Sequence, residues 1–322
     1  MEHHTRPSIV VSKCIGFDSC RYNGAMIPSE VVSALREHVD FVPVCPEVEI
    51  GLGVPRDPIR IIREGAEDRL WQPETQRDVT DAMTGFTREF LYGLGPVDGF
   101  ILKFRSPSCG LKEVKIYSGK GKAPASGKGA GFFGREVLRA FGDMAVEDEG
   151  RLRNFRIREH FLTKVFALAR FRKAREARSM GVLVKFQAEN KLLLMAYNQK
   201  VMREMGRVVA NPERKKVDYV LDTYGGLLRA ALAQAPRRTS AINVLMHAMG
   251  YFSSDLTGRE KQFFLGSLDK YREMKIPLSV PVGILNSWLA RYEREYLAGQ
   301  TFFEPYPEDL VQITDSGKGR DI

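Results

Sequence analysis

The chain has 322 residues, 43% of them hydrophobic, and carries 49 Lys and Arg against 40 Asp and Glu, a formal charge of +9. That length accommodates two domains with sizeable cores, and the apolar content argues against a wholly disordered chain. No run approaches the roughly 18 uninterrupted apolar residues of a membrane span, and the N-terminus lacks an apolar signal core, so the expected address is the cytoplasm.

Residues 1–7 read as a polar arm holding His3 and His4. Ile9 to Ser12 is expected to be a buried strand, followed by a loop that is marked by Gly16 and Gly24 and carries Cys14 and Cys20. Pro28 to His38 reads as a helix, with Pro28 at its start and Val31, Val32 and Leu35 on one face. Phe41 to Val44 is the second strand and runs into Cys45-Pro46-Glu47. The turn-rich stretch from Gly51 to Pro58 cannot be a helix interior. Arg60 to Asp68 then leads through a polar stretch into a helix expected from about Thr75 to Leu94. Val97 to Leu102 is the third strand, followed by Ser106-Pro107-Ser108-Cys109-Gly110. Ser118 to Gly131 is rich in Gly and Lys but fails as a phosphate loop. Five residues separate Gly121 from Gly127, and Gly129 stands where a Ser or Thr would hold magnesium. A mobile basic flap carrying Lys120, Lys122 and Lys128 is expected there. Phe132 to Phe141 reads as a helix closing the first domain, and Gly142 to Gly150 as the boundary.

From Arg151 onward the pattern is helical, with Phe161, Val165 and Leu168 recurring on one face. Further helices are expected around Leu192–Val209, 213–234, 239–251, 257–274 and 281–298, and an irregular tail from Phe302. The expected architecture is an α/β domain with a Rossmann-like open sheet over residues 1–146, followed by an all-α domain over 147–322. Charge divides unevenly between them. Residues 1–146 hold 19 basic and 19 acidic side chains, residues 147–322 hold 30 and 21, and 151–216 alone holds 18 and 5, net +13. Such a concentration fits a polyanionic partner, nucleic acid first, with a solvated helix face as the alternative. The candidate contacts are Arg153, Arg156, Arg170, Arg172, Lys173, Arg175 and Arg178, with Lys120, Lys122 and Lys128 from the flap.

Three apolar runs each deliver a cysteine, and in an open α/β sheet ligand sites collect beyond the carboxyl ends of the strands. Four cysteines in a cytoplasmic chain point to metal or catalysis rather than disulfides. A structural zinc site wants paired Cys-x2–4-Cys arms, and only Cys14 and Cys20 are close, five residues intervening. A nucleophilic thiol wants a histidine base, and His3, His4 and His38 sit in no motif. An iron–sulfur cluster is the third reading. Four thiolates saturate it, whereas three leave one iron open to act as a Lewis acid. Glu47 near Cys45, and Ser106 and Ser108 before Cys109, are groups for proton handling on a bound substrate. For Glu47 the plainer alternative is a turn residue or an ion pair with Arg21, Arg56 or Arg105, and for the serines it is turn chemistry.

Ser12-Lys13-Cys14-Ile15-Gly16 with Cys20-Arg21-Tyr22, Val42-Pro43-Val44-Cys45-Pro46-Glu47 and Arg105-Ser106-Pro107-Ser108-Cys109-Gly110 together resemble the TudS-like thiouracil desulfidase family over roughly residues 8–145. Asn190 to Ala196, Gly206 to Asn211, Asn243 to Phe252, Pro277 to Pro281 and Tyr296 to Gln300 resemble a YbgA-like domain. The fusion in this order resembles bacterial desulfidases acting on 4-thiouridine in tRNA. The resemblance implies a 4Fe-4S cluster on Cys14, Cys45 and Cys109, with proton transfer by Glu47 and one serine of the Ser106-Pro107-Ser108 turn. It leaves Cys20 open, since relatives can lack a thiol there; a spare thiol lining the site is its alternative role. It implies non-redox hydrolysis to uridine and hydrogen sulfide. Histidines common in YbgA-like chains are replaced here at Gln187 and Tyr197-Asn198. His247, on a helix with Met246 and Met249, is expected to be a satisfied core residue. The alternatives are a desulfidase of free thiobases, or an RNA-binding protein with a structural or redox-sensing cluster on four thiolates.

Overall fold

The computed structural model describes residues 5–121 and 124–311. His3, His4 and Lys122 lie outside them, as does the tail from residue 312 onward. The architecture is an α/β region with parallel pairing, followed by an all-helical region from Phe155. One compact unit comprises the described residues up to Ala169 together with 309–311, and the other comprises Arg170–Glu308.

The first sheet is four-stranded and wholly parallel. It consists of β1 (Ser8–Ser12), β2 (Asp40–Val44), β6 (Gly99–Leu102) and β9 (Ala145–Asp148), in the order β2-β1-β6-β9. Parallel strands are buried on both faces and read as continuous apolar runs, as Ile9-Val10-Val11 and Gly99-Phe100-Ile101-Leu102 do. Two helices follow the first two strands. Helix α1 (Glu30–Leu35) is capped by Ser29 and buries Val31, Val32 and Leu35, and α2 (Pro46–Glu49) is a single turn opened by Pro46. The long α3 (Thr80–Gly93) and α4 (Phe132–Phe141) pack Phe86, Phe90, Phe133 and Val137 against Val10, Phe100 and Leu102. Each such aromatic burial contributes about 1.5–3 kcal/mol.

A second sheet is absent from the sequence reading. It contains β3 (Arg60–Glu64), β4 (Glu67–Gln72), β5 (Arg77–Asp78), β7 (Val114–Tyr117) and β8 (Ala125–Gly129), in the order β5-β4-β3-β7-β8. Its inner face sets Ile61, Leu70, Val114 and Ile116 against Val79 and Met83. The helix expected from Thr75 starts instead at Thr80. There Thr80 Oγ1 accepts Leu70 N at 2.8 Å and Asp78 Oδ1 accepts Thr80 N at 2.9 Å. The expected flap is an ordered antiparallel strand over 125–129, paired with β7. The expected linker over 142–150 contains β9, an edge strand of the first sheet.

The helices are α5 (Phe155–Glu176), α6 (Met180–Glu189), α7 (Lys191–Ala210), α8 (Val217–Ala231), α9 (Arg238–Gly250), α10 (Gly258–Arg272), α11 (Ser279–Tyr292) and α12 (Glu295–Ala298). Phe171, Phe186 and Tyr224 form an aromatic triad with centroids 5.3–5.9 Å apart, and the buried Tyr224 hydroxyl donates to Gln187 Oε1 at 2.7 Å. A second centre joins Phe252, Phe264 and Trp288. Helix α7 breaks at Asn198, whose Oδ1 accepts Val201 N at 3.1 Å and so caps the following turns. The helix expected over 281–298 is interrupted at Glu293, where φ is 46°. Gln300 accepts Leu192 N at 3.0 Å and donates to Ala188 O at 2.8 Å, so the Tyr296–Gln300 stretch clamps the α6–α7 joint. His247 is exposed rather than core, set edge-on to Tyr251 at 5.9 Å. No helix among the described residues is long and apolar enough to cross a membrane.

Candidate active site

Three parallel strands end at one cavity. Cys14 follows β1 by two residues, Cys45 directly follows β2, and Cys109 lies in the turn after β6. Backbone bonds lock these ends together: Lys13 N donates to Val44 O at 2.8 Å, and Lys103 N to Ser12 Oγ at 2.9 Å. The Cys109 turn rests on the start of α4, whose first amides lack intrahelical partners. Gly131 N, Phe132 N and Gly134 N donate to the carbonyls of Gly110, Pro107 and Ser108 at 2.7, 3.1 and 3.0 Å. That approach needs glycine. A Cβ on Gly131 would lie 2.4 Å from Ser108 O, and one on Gly134 would lie 2.5 Å from Gly110 O.

The cavity holds about 310 Å³ and is lined by all four cysteines, Glu47, Arg56, Lys103, Ser106 and Ser108, among others. Within it the polar groups form one directed relay. Cys109 N donates to Ser106 Oγ at 3.1 Å, and Ser106 and Ser108 hydroxyls lie 2.9 Å apart. Ser108 Oγ donates to Glu47 Oε1 at 2.7 Å. Ser108 has one hydroxyl proton and gives it to Glu47, so Ser106 is the donor in the serine pair. This separates the two serines. Ser108 touches the carboxylate, while Ser106 also accepts Ser108 N at 3.3 Å and closes the turn. The other carboxylate oxygen, Oε2, receives Arg56 Nε at 2.9 Å and Nη2 at 2.5 Å. Arg56 Nη1 donates to the carbonyls of Cys20 and Gly53 at 3.0 and 2.8 Å. Of the three arginines that sequence placed near Glu47, Arg56 is the partner. Only the pairing identifies it, since Arg56 sits in an irregular loop without periodicity.

All four cysteines are free and buried. Burial pushes the Cys14 thiol up to about 12, and neighbouring Cys45 adds to the shift while Lys103 opposes it. Burial and then Cys45 likewise push Cys20 to about 12. Burial also drives Cys109 up, against a hydrogen bond with Ser12. Lys103 is itself fixed by Glu149, with its Nζ also donating to Phe104 O at 3.0 Å. Among the described residues no group of three or more His, Cys, Asp or Glu converges on a single metal ion. A multi-iron cluster sets each thiolate on a different iron and does not need such convergence. Buried thiols held on separate strand ends around one cavity, unpaired with each other, are a donor set that fits such a cluster. Cys20 lies on the cavity wall beside Cys45, whose thiol donates to Cys20 O at 3.8 Å.

The basic candidates are scattered by comparison. Arg153 and Lys173 are exposed and Arg156 is half-buried. Arg175 pairs with Asp222, Arg178 with Asp218 at 3.7 Å, and Arg172 with Glu176 at 3.6 Å. Arg170 is held differently from the rest. Its Nε and Nη2 are buried without a hydrogen-bond partner, and Nη1 donates to Pro305 O at 2.8 Å. Lys128 pairs with Glu113, and Lys120 with Glu64 at 3.1 Å.

A family model described as 2-thiouracil desulfurase matches residues 9–149, the stretch that supplies every residue of this cavity. An uncharacterized protein, YbbK, from Bacillus subtilis (strain 168) is 32% identical over 151 residues, 44% of this chain and 98% of that protein. The chain belongs to the 2-thiouracil desulfurase family. Its C-terminal region matches a second family, a protein of unknown function (DUF1722), over residues 191–307. An uncharacterized protein, YbgA, from Escherichia coli (strain K12) is 28% identical over 158 residues, 48% of this chain and 93% of that protein. A solved structure of a [4Fe-4S]-dependent thiouracil desulfidase, TudS, is 30% identical and covers 46% of this chain and 93% of its own, with a TM-score of 0.36. Each of these relatives spans about half of the present chain.

Proposed function

We propose that this desulfurase acts on 4-thiouridine in tRNA, replacing sulfur by oxygen to give uridine and hydrogen sulfide. One observation carries the chemistry: Ser108 donates at 2.7 Å to a carboxylate on the same cavity wall as three buried strand-end thiols. Cys14, Cys45 and Cys109 would hold a 4Fe-4S cluster, which when bound supplies a Lewis acid for the thiocarbonyl sulfur. Glu47 takes the proton of the attacking water, directly or through Ser108. Arg56 holds the carboxylate oriented toward Ser108. The water oxygen bonds to the ring carbon, the carbon–sulfur bond breaks, and both water protons leave with the sulfur. Oxidation states do not change, so no electron donor is required.

The net +13 over residues 151–216 supports a polyanionic substrate, because phosphate contacts supply salt-dependent affinity. A base inside folded tRNA must leave its stack to reach a cavity of this kind. The 310 Å³ volume favours a second reading, turnover of free thiobases, since it matches a small ligand. Anaerobically loaded protein given thiolated tRNA should lose 4-thiouridine with matching sulfide. Cys45→Ala should abolish this, and Glu47→Ala or Ser108→Ala should slow it by about 10²–10⁴-fold. Cys20→Ser should retain iron, whereas a cluster on four protein thiolates would lose it. Loaded protein that turns over free thiouracil and leaves tRNA untouched would decide for the second reading.

A further inference from the structure

We propose that Lys103, oriented by Glu149, offsets the negative charge that collects on sulfur as the carbon–sulfur bond breaks in the cavity. The inference rests on the cluster and desulfidase reading above and adds a residue to it. The strand order β2-β1-β6-β9 brings four carboxyl ends side by side. The first three lead into Cys45, Cys14 and Cys109, and the fourth delivers Glu149, the residue directly after β9. Glu149 N donates to Leu102 O at 3.3 Å, and its Oε2 accepts Phe104 N at 2.7 Å, so the carboxylate is fixed to the end of β6. Its other oxygen, Oε1, holds Lys103 Nζ. Lys103 directly follows β6, and the Lys103 and Glu149 side chains are only 20% and 8% exposed.

An ammonium has three N–H donors. One meets Glu149, one meets Phe104 O at 3.0 Å, and the third has no partner among the described residues. Lys103 lines the cavity, so that donor is left for what occupies it. Cys14 is the sulfur that feels this cation. Burial and then Cys45 raise its thiol, and Lys103 lowers it by more than Glu149 or Glu47 raises it. The pair therefore turns its ammonium toward Cys14 and its carboxylate away. Arg56, beside Glu47, is already engaged by that carboxylate and by the carbonyls of Cys20 and Gly53. Anionic sulfur held away from water needs charge or hydrogen bonds from the wall. In the reaction the water oxygen bonds to the ring carbon, the electron pair of the broken bond passes to sulfur, and the two water protons follow it. Lys103 supplies charge and one N–H bond and gives up no proton.

The test uses the full chain loaded anaerobically and two probes, inorganic sulfide in alkaline buffer as the anion and thiourea as the neutral sulfur ligand. Each is titrated against the visible absorption of the loaded protein. Lys103→Met should weaken sulfide about tenfold, the loss of one charge-assisted hydrogen bond, and thiourea by less than about twofold, with bound iron unchanged. Lys103→Arg should restore most of the sulfide affinity, and turnover of thiolated substrate should fall in step with it. Unchanged sulfide affinity in Lys103→Met, or equal losses for both probes, would overturn the charge role. Where the methionine variant takes up too little iron to titrate, Lys103→Gln repeats the comparison with a neutral side chain that can still donate to Glu149. Loss of iron in both, with Lys103→Arg fully loaded, would overturn the assignment and make Lys103 a residue of cluster retention. Thiolated tRNA left intact by loaded protein whose sulfide binding still depends on Lys103 would sink the tRNA reading and leave this role standing.

Discussion

Arg56→Met tests whether the carboxylate at the centre of the cavity depends on its counterion. Arg56 and Glu47 side chains are 4% and 13% exposed, so water screens the pair little. Methionine removes both bonds to Glu47 Oε2 and leaves the carbonyls of Cys20 and Gly53 without their donor. Removing one member of a buried pair costs about 3–5 kcal/mol, because the remaining charge stays buried. At a urea slope near 2 kcal/mol/M, the midpoint should fall by about 2 M. The two tryptophans make the assay specific, since Trp71 lies in the first unit and Trp288 in the second. In a Trp288→Phe background, Trp71 emission reports the desulfurase unit alone. Adding Glu47→Gln to Arg56→Met should recover at least half of the loss. A single-variant loss below about 1 kcal/mol, or a double variant as unstable as the two losses summed, would refute the reasoning.

Three further outcomes follow from the geometry. Gly134→Ala brings a Cβ to 2.5 Å from Gly110 O and 2.7 Å from Cys109 O, so the Cys109 turn must shift; iron bound after anaerobic loading should fall by more than half, and full loading would contradict this seating. Burial, with Lys164 adding to it, lowers His160 to about 4 from 6.5. The unfolded chain therefore takes up a proton that the folded chain refuses, and stability present above pH 6.5 is lost as pH falls toward 4, by about 3 kcal/mol in all. His160→Gln should flatten that limb of the urea midpoint against pH, and an unchanged slope would count against it. Affinity for tRNA should fall linearly in log–log plots against salt, and Arg153→Ala or Lys173→Ala should each reduce the slope by about one; Arg170→Ala should act on stability instead.

Three strands of the first sheet were readable because parallel strands need apolar runs, and Ile9-Val10-Val11, Phe41 to Val44 and Val97 to Leu102 supply them, whereas β9, with Glu147 and Asp148, read as a boundary. The helix from Phe132 to Phe141 showed equally well, with its apolar residues on one side. The second sheet was hidden for a physical reason. Arg60-Ile61-Ile62-Arg63 and Glu67-Asp68-Arg69-Leu70-Trp71 mix charges with few apolar residues, and the face shared by Arg60 and Trp71 also carries Ile62, Arg69, Glu64 and Glu67. Alternation over so short a run is indistinguishable from a polar loop until a partner strand is in place. Gly and Lys in 118–131 pointed to mobility, yet glycine in β8 is what lets Ile116 pack closely, 3.0 Å from where a Gly129 Cβ would sit.

For the site, residue types were legible and connectivity was not. Strand ends announced Cys14, Cys45 and Cys109, and the nearby Glu47, Ser106 and Ser108 announced proton chemistry. Nothing in spacing ranks two serines that lie two residues apart. The rank follows from a proton count: Ser106 accepts two backbone amides and donates onward, and Ser108 is left to face Glu47. Nor does charge density distinguish a phosphate contact from an ion pair. Arg175 and Arg178 lie in the most basic stretch of the chain, yet they meet Asp222 and Asp218 on α8. The cations of the second sheet come from the half of the chain whose net charge is zero, and two of its donors, on Arg60 and Trp71, lack any partner. A deficit of hydrogen bonds does not sort with charge either, since Arg170 Nε and Nη2 are buried without a partner in the most basic stretch.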